Sequence, residues 1–146
     1  MSELCTILLT SCLTVLTGTT LFVIGQIVSK FLIEPILEQR RVIGEIAYSL
    51  IFYARDYTSP GLGKRDRMDE ASEVLRQHAS QLRARTHAIP WYGFWALLRR
   101  VRKYEDVLEA SKRLIGLSNS IHQGDGLRNY QLARDIEKLL GIRTDR

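Results

Sequence analysis

The sequence has 146 residues, enough for one domain or for a small domain with an appendage. Its two cysteines, Cys5 and Cys12, exclude a disulfide framework and a cysteine-based zinc site, which suits a reducing compartment. The net charge is +5, and because every Lys and Arg lies from Lys30 onward, the later part of the chain favours anionic partners: phospholipid head groups, nucleic acid or an acidic protein surface.

An uncharged segment, residues 7–28 (ILLTSCLTVLTGTTLFVIGQIV), predicts a transmembrane helix. A spanning helix needs about 20 mostly apolar residues. The alternatives are a buried helix of a soluble protein and a cleavable signal peptide. A signal peptide would need a positive n-region, and no Lys or Arg precedes this segment. Because Lys30, Arg40 and Arg41 follow it, the positive-inside rule predicts a single-pass anchor, residues 1–30, with the C-terminal part in the cytoplasm.

Small residues recur on one side of this predicted helix. At 100° per residue, five of them lie within about 60° of one another: Ser11, Thr14, Gly18, Gly25 and Ser29. Such a stripe lets a second helix approach closely in lipid, so it predicts contact with another membrane protein or with a second copy of the chain. The alternative is that these residue types are common in membrane helices without any specific contact.

Residues 31–60 predict a juxtamembrane amphipathic helix. Pro35 has no N–H to donate and disfavours helix at Glu34, so we expect a kink or a new helix start there. Apolar residues then recur at helical spacing until residues 59–61 (Ser-Pro-Gly) end the pattern. The predicted seam consists of Ile36, Ile43, Ile46, Leu50, Tyr53 and Tyr57.

Residues 61–146 predict a basic helical domain. Helices are expected at residues 64–88, 104–120 and 127–140, with Gly141 as the C-terminal cap of the last one. No segment alternates with period two, so the predicted fold is all-α: one transmembrane helix followed by a small cytoplasmic bundle. The apolar faces of the three helices are predicted to consist of Met68, Ala71, Leu75, His78 and Leu82; of Val107, Leu108, Ser111, Leu114, Ile115 and Ser118; and of Tyr130, Ala133, Ile136, Leu139 and Leu140.

Aromatic residues stand beside a basic cluster in residues 91–103 (WYGFWALLRRVRK). Tryptophan and tyrosine favour the bilayer interface, and neighbouring arginine and lysine favour anionic head groups. The segment therefore predicts contact with a membrane surface. Alternatively, its aromatic residues fill the bundle core; nucleic acid is not expected as the partner, because no groove-reading motif accompanies the cluster. The expected surface contacts are Trp91, Tyr92, Trp95, Arg99, Arg100, Arg102 and Lys103.

Residues 114–129 (LIGLSNSIHQGDGLRN) are chemically varied and have three interpretations. Ser118 or Ser120 with His122 and Asp125 has the composition of a hydrolytic triad, but known triads collect their members from distant chain positions. Gly124, Gly126 and Arg128 could form an anion site at the start of the last helix. A structural corner accounts for most features, since Ser120 and Gln123 match a capping box and Asp125 can cap the last helix.

The histidines show no pattern typical of a metal site. Neither His87 nor His122 has a ligand-type residue at a known metal spacing, and His78 lies on an apolar face, where a packed histidine is expected. The sequence thus predicts no metal, no cofactor and no catalytic residue.

Three stretches, residues 31–54, 113–125 and 136–142, resemble a set of uncharacterised bacterial single-pass membrane proteins. The resemblance implies a bacterial inner-membrane setting and no mechanism, because the family has no established activity. The sequence as a whole predicts a non-enzymatic, membrane-anchored adaptor, sensor or accessory subunit that contacts lipids and another protein. The alternative is an oligomeric, membrane-disrupting or pore-forming effector.

Overall fold

The computed structural model describes residues 2–142, and these form helices and turns without a strand, which confirms the all-α prediction. A five-residue π-helix, Ser29–Ile33, separates the first two α-helices. The seven α-helices are α1 (Ser2–Val28), α2 (Glu34–Phe52), α3 (Ala54–Thr58), α4 (Arg65–His87), α5 (Tyr92–Leu97), α6 (Tyr104–Ser120) and α7 (Gly126–Leu140).

The chain divides into two compact units, one up to Glu34 and the other from Pro35 onward. The residues predicted as a separate juxtamembrane helix therefore share a core with the residues after them. Within this second unit, α2 contributes Val42, Ile46 and Leu50 to the same buried cluster as α4, α6 and α7. An amphipathic helix with one apolar side is stable only when that side is covered, and here the other helices cover it.

The first unit consists of α1 and the π-helix. As predicted, it contains a helix long and apolar enough to span a membrane. All side chains described in α1 are exposed, from Glu3 to Val28. The threonine hydroxyls bond to backbone oxygens of their own helix, as with Thr14 Oγ1 and the Thr10 oxygen at 2.8 Å. Such bonds satisfy polar groups that would otherwise be costly in lipid.

Pro35 acts on the helix before it in a way that the sequence predicted only in part. A new α-helix does begin beside it, but Glu34 keeps helical backbone angles (φ −58°, ψ −46°). The N–H of Glu34 donates to the Ser29 oxygen, the wider hydrogen bond of a π-helix. Pro35 has no N–H to donate to the helix before it. The turn before Pro35 is widened to a π-helix, which accommodates the proline.

The second unit buries most of the faces that the spacing predicts. Ile36, Leu50 and Tyr57 are buried and Ile43 is partly buried, so the predicted seam is confirmed. The helix nevertheless breaks at Tyr53, whose backbone leaves the helical region between α2 and α3. The Tyr57 hydroxyl donates to the Leu50 oxygen across this break at 2.9 Å.

The prediction that Tyr130 belongs to the buried face of α7 is wrong. Tyr130 is 49% exposed, whereas its neighbour Asn129 is completely buried. Asn129 lies four residues before Ala133 and seven before Ile136, which places it on the buried face of the helix. The C-terminal cap is confirmed, since Gly141 adopts the left-handed conformation with φ 66°. A side chain at Gly141 would overlap the guanidinium of Arg102, which lies against this helix end.

Candidate functional site

The aromatic–basic segment, residues 91–103, forms the short helix α5 and the loop that follows it. No residue of α5 is buried. Trp91 is 74% exposed, Phe94 54% and Leu97 81%. The alternative in which the aromatic side chains fill the core is therefore wrong for Trp91 and Phe94, and a large apolar surface faces outward.

Polar bonds attach α5 to the bundle. The buried amide of Gln39 donates to Thr86 Oγ1 at 2.9 Å and to the Tyr92 hydroxyl oxygen at 3.2 Å. The Tyr92 hydroxyl donates in turn to the Arg102 oxygen at 2.7 Å. A tyrosine hydroxyl is protonated at neutral pH, and burial raises the pKa of Tyr92 further, so this hydroxyl remains a donor. Tyr92 thus joins α2 to the loop after α5.

The loop after α5 is positioned by a second contact and by its own backbone. Arg40 Nη2 donates to the Arg100 oxygen at 2.8 Å. The left-handed conformation, which is costly for residues other than glycine, occurs at Trp91 (φ 51°) and at Arg99 (φ 55°). These two residues lie on either side of α5, and the chain turns at both of them. Backbone strain of this kind is frequent at functional positions.

Trp95 lies between the exposed and the buried surfaces of the segment. It is partly buried, and its ring packs edge-on against Phe94 at 5.4 Å between ring centroids. Its buried Nε1 has no hydrogen-bond partner among the residues that the structure describes. An unpaired buried indole N–H costs stability.

The small-residue stripe of α1 lies on exposed surface. Ser11, Thr14, Gly18, Gly25 and Ser29 are all exposed. An added Cβ at Gly18 or Gly25 would meet nothing within 4 Å. The described part of the chain therefore leaves this side of the helix open to a second helix.

The corner between α6 and α7 is organised around Asn129. Its amide donates to the Tyr57 oxygen at 2.9 Å and to the Ser120 oxygen at 3.3 Å, and its own oxygen accepts from the Ser120 hydroxyl at 2.6 Å. Sequence reasoning missed this residue because asparagine is more common in turns than in cores. The helical spacing back from Ala133 and Ile136 was the signal that could have identified it.

One predicted cap is confirmed and the other is wrong. Asp125 is the N-cap of α7, and its carboxylate accepts from the Leu127 N–H at 3.0 Å. Ser120 forms no capping box with Gln123, because its hydroxyl donates to the Leu117 oxygen and to Asn129. The Asp125 carboxylate thus stands at the helix start that was predicted as an anion site.

Of the other members of the predicted anion site, Gly124 and Arg128 line one cleft beside Asp125, and Gly126 is not part of its lining. Side chains at Gly124 and Gly126 would overlap the backbone oxygens of Ser120 and Thr58, so both glycines permit close packing of the chain. Arg128 is exposed. The glycines are therefore explained by chain packing alone.

The suggested triad residues are not assembled. His122 Nε2 lies 3.2 Å from Asp69 Oδ1 on α4, rather than beside a serine. The hydroxyl of Ser118, a buried residue, donates to the Ile115 oxygen at 2.8 Å. Within the described part of the chain, no group of three His, Cys, Asp or Glu side chains could hold a metal ion.

His78 lies on the predicted face of α4 and bonds to the neighbouring helix. Its Nε2 and Ser49 Oγ share a hydrogen bond of 2.9 Å, while its buried Nδ1 has no partner among the described residues. Burial lowers the pKa of His78, and the charge of Glu45 acts in the opposite direction. The neutral imidazole is therefore the form that the fold favours.

The lowered pKa of His78 predicts a pH dependence of stability. Between the ordinary pKa of 6.5 and the lower pKa of the folded state, the unfolded chain binds a proton that the folded chain does not. The free energy of unfolding should therefore decrease as the pH falls through this window and gain nothing further from His78 above it. Urea unfolding of the full-length protein in detergent, at a series of pH values, measures this slope.

Replacement of His78 provides the check. In His78→Gln the decrease between neutral and mildly acidic pH should be smaller than in the parent protein. Equal slopes in the parent protein and in His78→Gln would contradict the assignment.

Comparisons with protein-family models, with curated proteins and with solved structures found no match for this chain. The geometry and chemistry of the described residues therefore carry the functional argument.

Proposed function

We propose that the protein is a non-enzymatic, single-pass membrane protein whose helical bundle is an adaptor, sensor or accessory subunit of a larger membrane assembly. The observation that carries the proposal is the exposure of every side chain described in α1. An apolar helix that its own chain leaves uncovered needs another cover, and a bilayer matches its length and composition. This differs from a core helix, which the rest of the chain would bury.

The charge distribution supports an orientation. Lys30, Arg40 and Arg41 follow α1, and no Lys or Arg precedes it, so the bundle is cytoplasmic by the positive-inside rule. The resemblance to bacterial single-pass proteins supports the inner membrane as the location. On this proposal the open stripe around Gly18 and Gly25 contacts a partner helix, from another membrane protein or from a second copy.

The aromatic–basic segment is the proposed contact of the bundle with the lipid surface. Its attachments, Gln39 and Arg40, lie in the first two turns of α2, only a few residues after the apolar segment ends. These attachments of α5 are therefore close along the sequence to the end of the proposed anchor. Exposed Trp91 supplies an amphipathic ring that prefers the interface, and exposed Phe94 adds apolar surface.

Tryptophan fluorescence tests this contact, because the only two tryptophans of the chain, Trp91 and Trp95, both lie in the segment. The variant Trp95→Phe leaves Trp91 as a single reporter. After reconstitution of the full-length protein into vesicles, its emission should be blue-shifted and should be quenched by lipids brominated on their acyl chains. A reporter that brominated lipid leaves unquenched would contradict surface docking.

The same vesicles separate the proposal from the pore-forming alternative. They should retain an entrapped dye and an ion gradient at protein densities at which the tryptophan is quenched. Leakage that Gly18→Leu with Gly25→Leu abolishes would favour an oligomeric pore. Recovery of the protein in the soluble fraction after alkaline carbonate washing of native membranes would contradict both readings.

A further inference from the structure

We infer that the groove beside the aromatic–basic segment binds the head group of an anionic phospholipid. The inference rests on the proposed function, because it names the ligand of the same surface. The groove has a volume of about 990 Å³ and lies between the early turns of α2, the loop after α5 and the start of α6. Its charged lining consists of Arg40, Arg99, Arg100, Arg102, Lys103 and Asp106.

The charge of the groove is strongly unbalanced. Arg40, Arg99, Arg100 and Lys103 form no ion pair with any carboxylate that the structure describes, and Asp106 is the single acid in the lining. Cations held close together repel one another, and an anion bound among them removes that repulsion. Arginine is also suited to phosphate, because its planar fork can donate two parallel hydrogen bonds to two oxygens.

Arg102 has a different position from the other four cations. Its guanidinium lies against Gly141, at the C-terminal end of α7. The backbone oxygens at a helix C-terminus attract a positive charge, so this helix end already holds the Arg102 side chain. The Arg102 side chain is therefore already engaged, as is Arg40 by its bond to the Arg100 oxygen, and Arg99, Arg100 and Lys103 are available for a ligand.

The backbone of the groove is fixed before any ligand binds. The oxygens of Arg100 and Arg102 accept bonds from Arg40 and Tyr92, at 2.8 Å and 2.7 Å. The left-handed turn at Arg99 redirects the chain between α5 and this loop. A loop whose backbone is already held loses less conformational entropy on binding, which increases the affinity for a matching ligand.

A phospholipid fits this surface better than nucleic acid or free phosphate because the apolar and basic groups are adjacent. Leu97 lines the groove and is 81% exposed, and Phe94 and Leu98 are at least half exposed beside it. A phospholipid carries its phosphate next to acyl chains, so it can cover these side chains while it neutralises the cations. Phosphate or RNA would neutralise the charge and leave the apolar side chains in water.

Native mass spectrometry of the full-length protein in neutral detergent tests the inference. The protein is titrated with phosphatidylglycerol and, separately, with phosphatidylcholine of the same acyl chains. We expect saturable binding of phosphatidylglycerol at low stoichiometry and weaker binding of phosphatidylcholine. Inorganic phosphate and oligouridylate are added as competitors, and neither should displace the lipid at concentrations equal to that of the lipid.

Two double variants with the same change in net charge locate the site. Arg100→Gln with Lys103→Gln should weaken phosphatidylglycerol binding roughly 30-fold, at about 1 kcal/mol for each cation removed. Arg83→Gln with Lys112→Gln removes two exposed cations elsewhere on the bundle and should leave the affinity within about twofold. All four positions are exposed, and equal melting temperatures check that each variant is folded.

The possible outcomes are distinct. An equal loss of phosphatidylglycerol affinity in both double variants would overturn the inference. It would indicate that the lipid is attracted by the overall positive charge of the bundle rather than bound in the groove. Displacement of the lipid by oligouridylate, with the same dependence on Arg100 and Lys103, would overturn it in favour of nucleic acid. If carbonate-washed membranes retain a protein that does not prefer phosphatidylglycerol, the inference fails and the proposed function stands; release of the protein by carbonate contradicts the proposed function itself.

Discussion

Replacing Leu16 and Leu21 together with arginine is expected to remove the protein from the membrane. Both residues lie near the middle of α1, within its uncharged segment. An arginine at the centre of a spanning helix costs about 2.5–3.5 kcal/mol, and a leucine there contributes about 0.3–0.6 kcal/mol. The two changes together oppose insertion by about 6–8 kcal/mol. Fractionation of cells that express the full-length protein, followed by carbonate washing, measures the effect.

The matched control uses the same chemistry in the second unit. Leu62 and Leu127 are 87% and 66% exposed, at least as exposed as Leu16 and Leu21 at 65% each. The control Leu62→Arg with Leu127→Arg should therefore remain in the membrane pellet. Because all four leucines are exposed in the chain itself, only a surrounding bilayer would distinguish the two double variants. Membrane retention of both would show that α1 is not the anchor.

The second large effect is expected at the corner between α6 and α7, where Gly126→Ala should destabilise or unfold the bundle. A Cβ at this position would overlap the backbone oxygen of Thr58, the last residue of α3. A backbone group cannot rotate away as the end of a side chain can, so α3 and α7 would have to separate. Overpacking typically costs about 1–3 kcal/mol, and we expect the upper end of this range. Thermal unfolding followed by circular dichroism measures it.

Gly116→Ala is the control for this change, with an expected effect of opposite sign. Gly116 lies inside α6 and is exposed, and a Cβ there would meet nothing within 4 Å. Alanine in a helix interior stabilises by about 0.5–1 kcal/mol relative to glycine. The melting temperature should therefore rise in Gly116→Ala and fall by ten degrees or more, at roughly 4–8 °C per kcal/mol, in Gly126→Ala. A neutral Gly126→Ala would refute the close approach to Thr58.

Much of the fold could be predicted from the sequence because its helices bury apolar residues at regular spacing. The predicted span of residues 104–120 coincides with α6, and the Asp125 and Gly141 caps are confirmed. The burial of Asn129 and the exposure of Tyr130 were harder to predict. At both positions the residue type and the position on the helix favour opposite assignments to core or surface. Asparagine is rarely buried unless it is paired, and its partners, Tyr57 and Ser120, come together only in the folded chain.

The residue composition of the candidate site could be predicted from the sequence, but the orientation of its side chains could not. The sequence indicated an aromatic–basic surface, and Trp91 is indeed exposed. It could not indicate that the Tyr92 hydroxyl turns inward, since the bonding partner, Gln39, is 53 residues away along the chain. Gln39 itself is 1% exposed on the buried face of α2, three residues after Ile36 and three before Val42. Its spacing was a usable signal, but its polarity argued against a core position.

The attachment of α5 to the bundle by polar hydrogen bonds affects the expected amide hydrogen exchange of this helix. Because no residue of α5 is buried, the helix can detach from the bundle by breaking the bonds of Tyr92 and Arg40 while the core stays closed. Such an opening exposes little new surface, so we expect amide exchange in α5 to be nearly independent of denaturant, whereas the core amides of α4 and α6 should exchange only by global unfolding. We therefore expect α5 to open more readily than the core of the bundle.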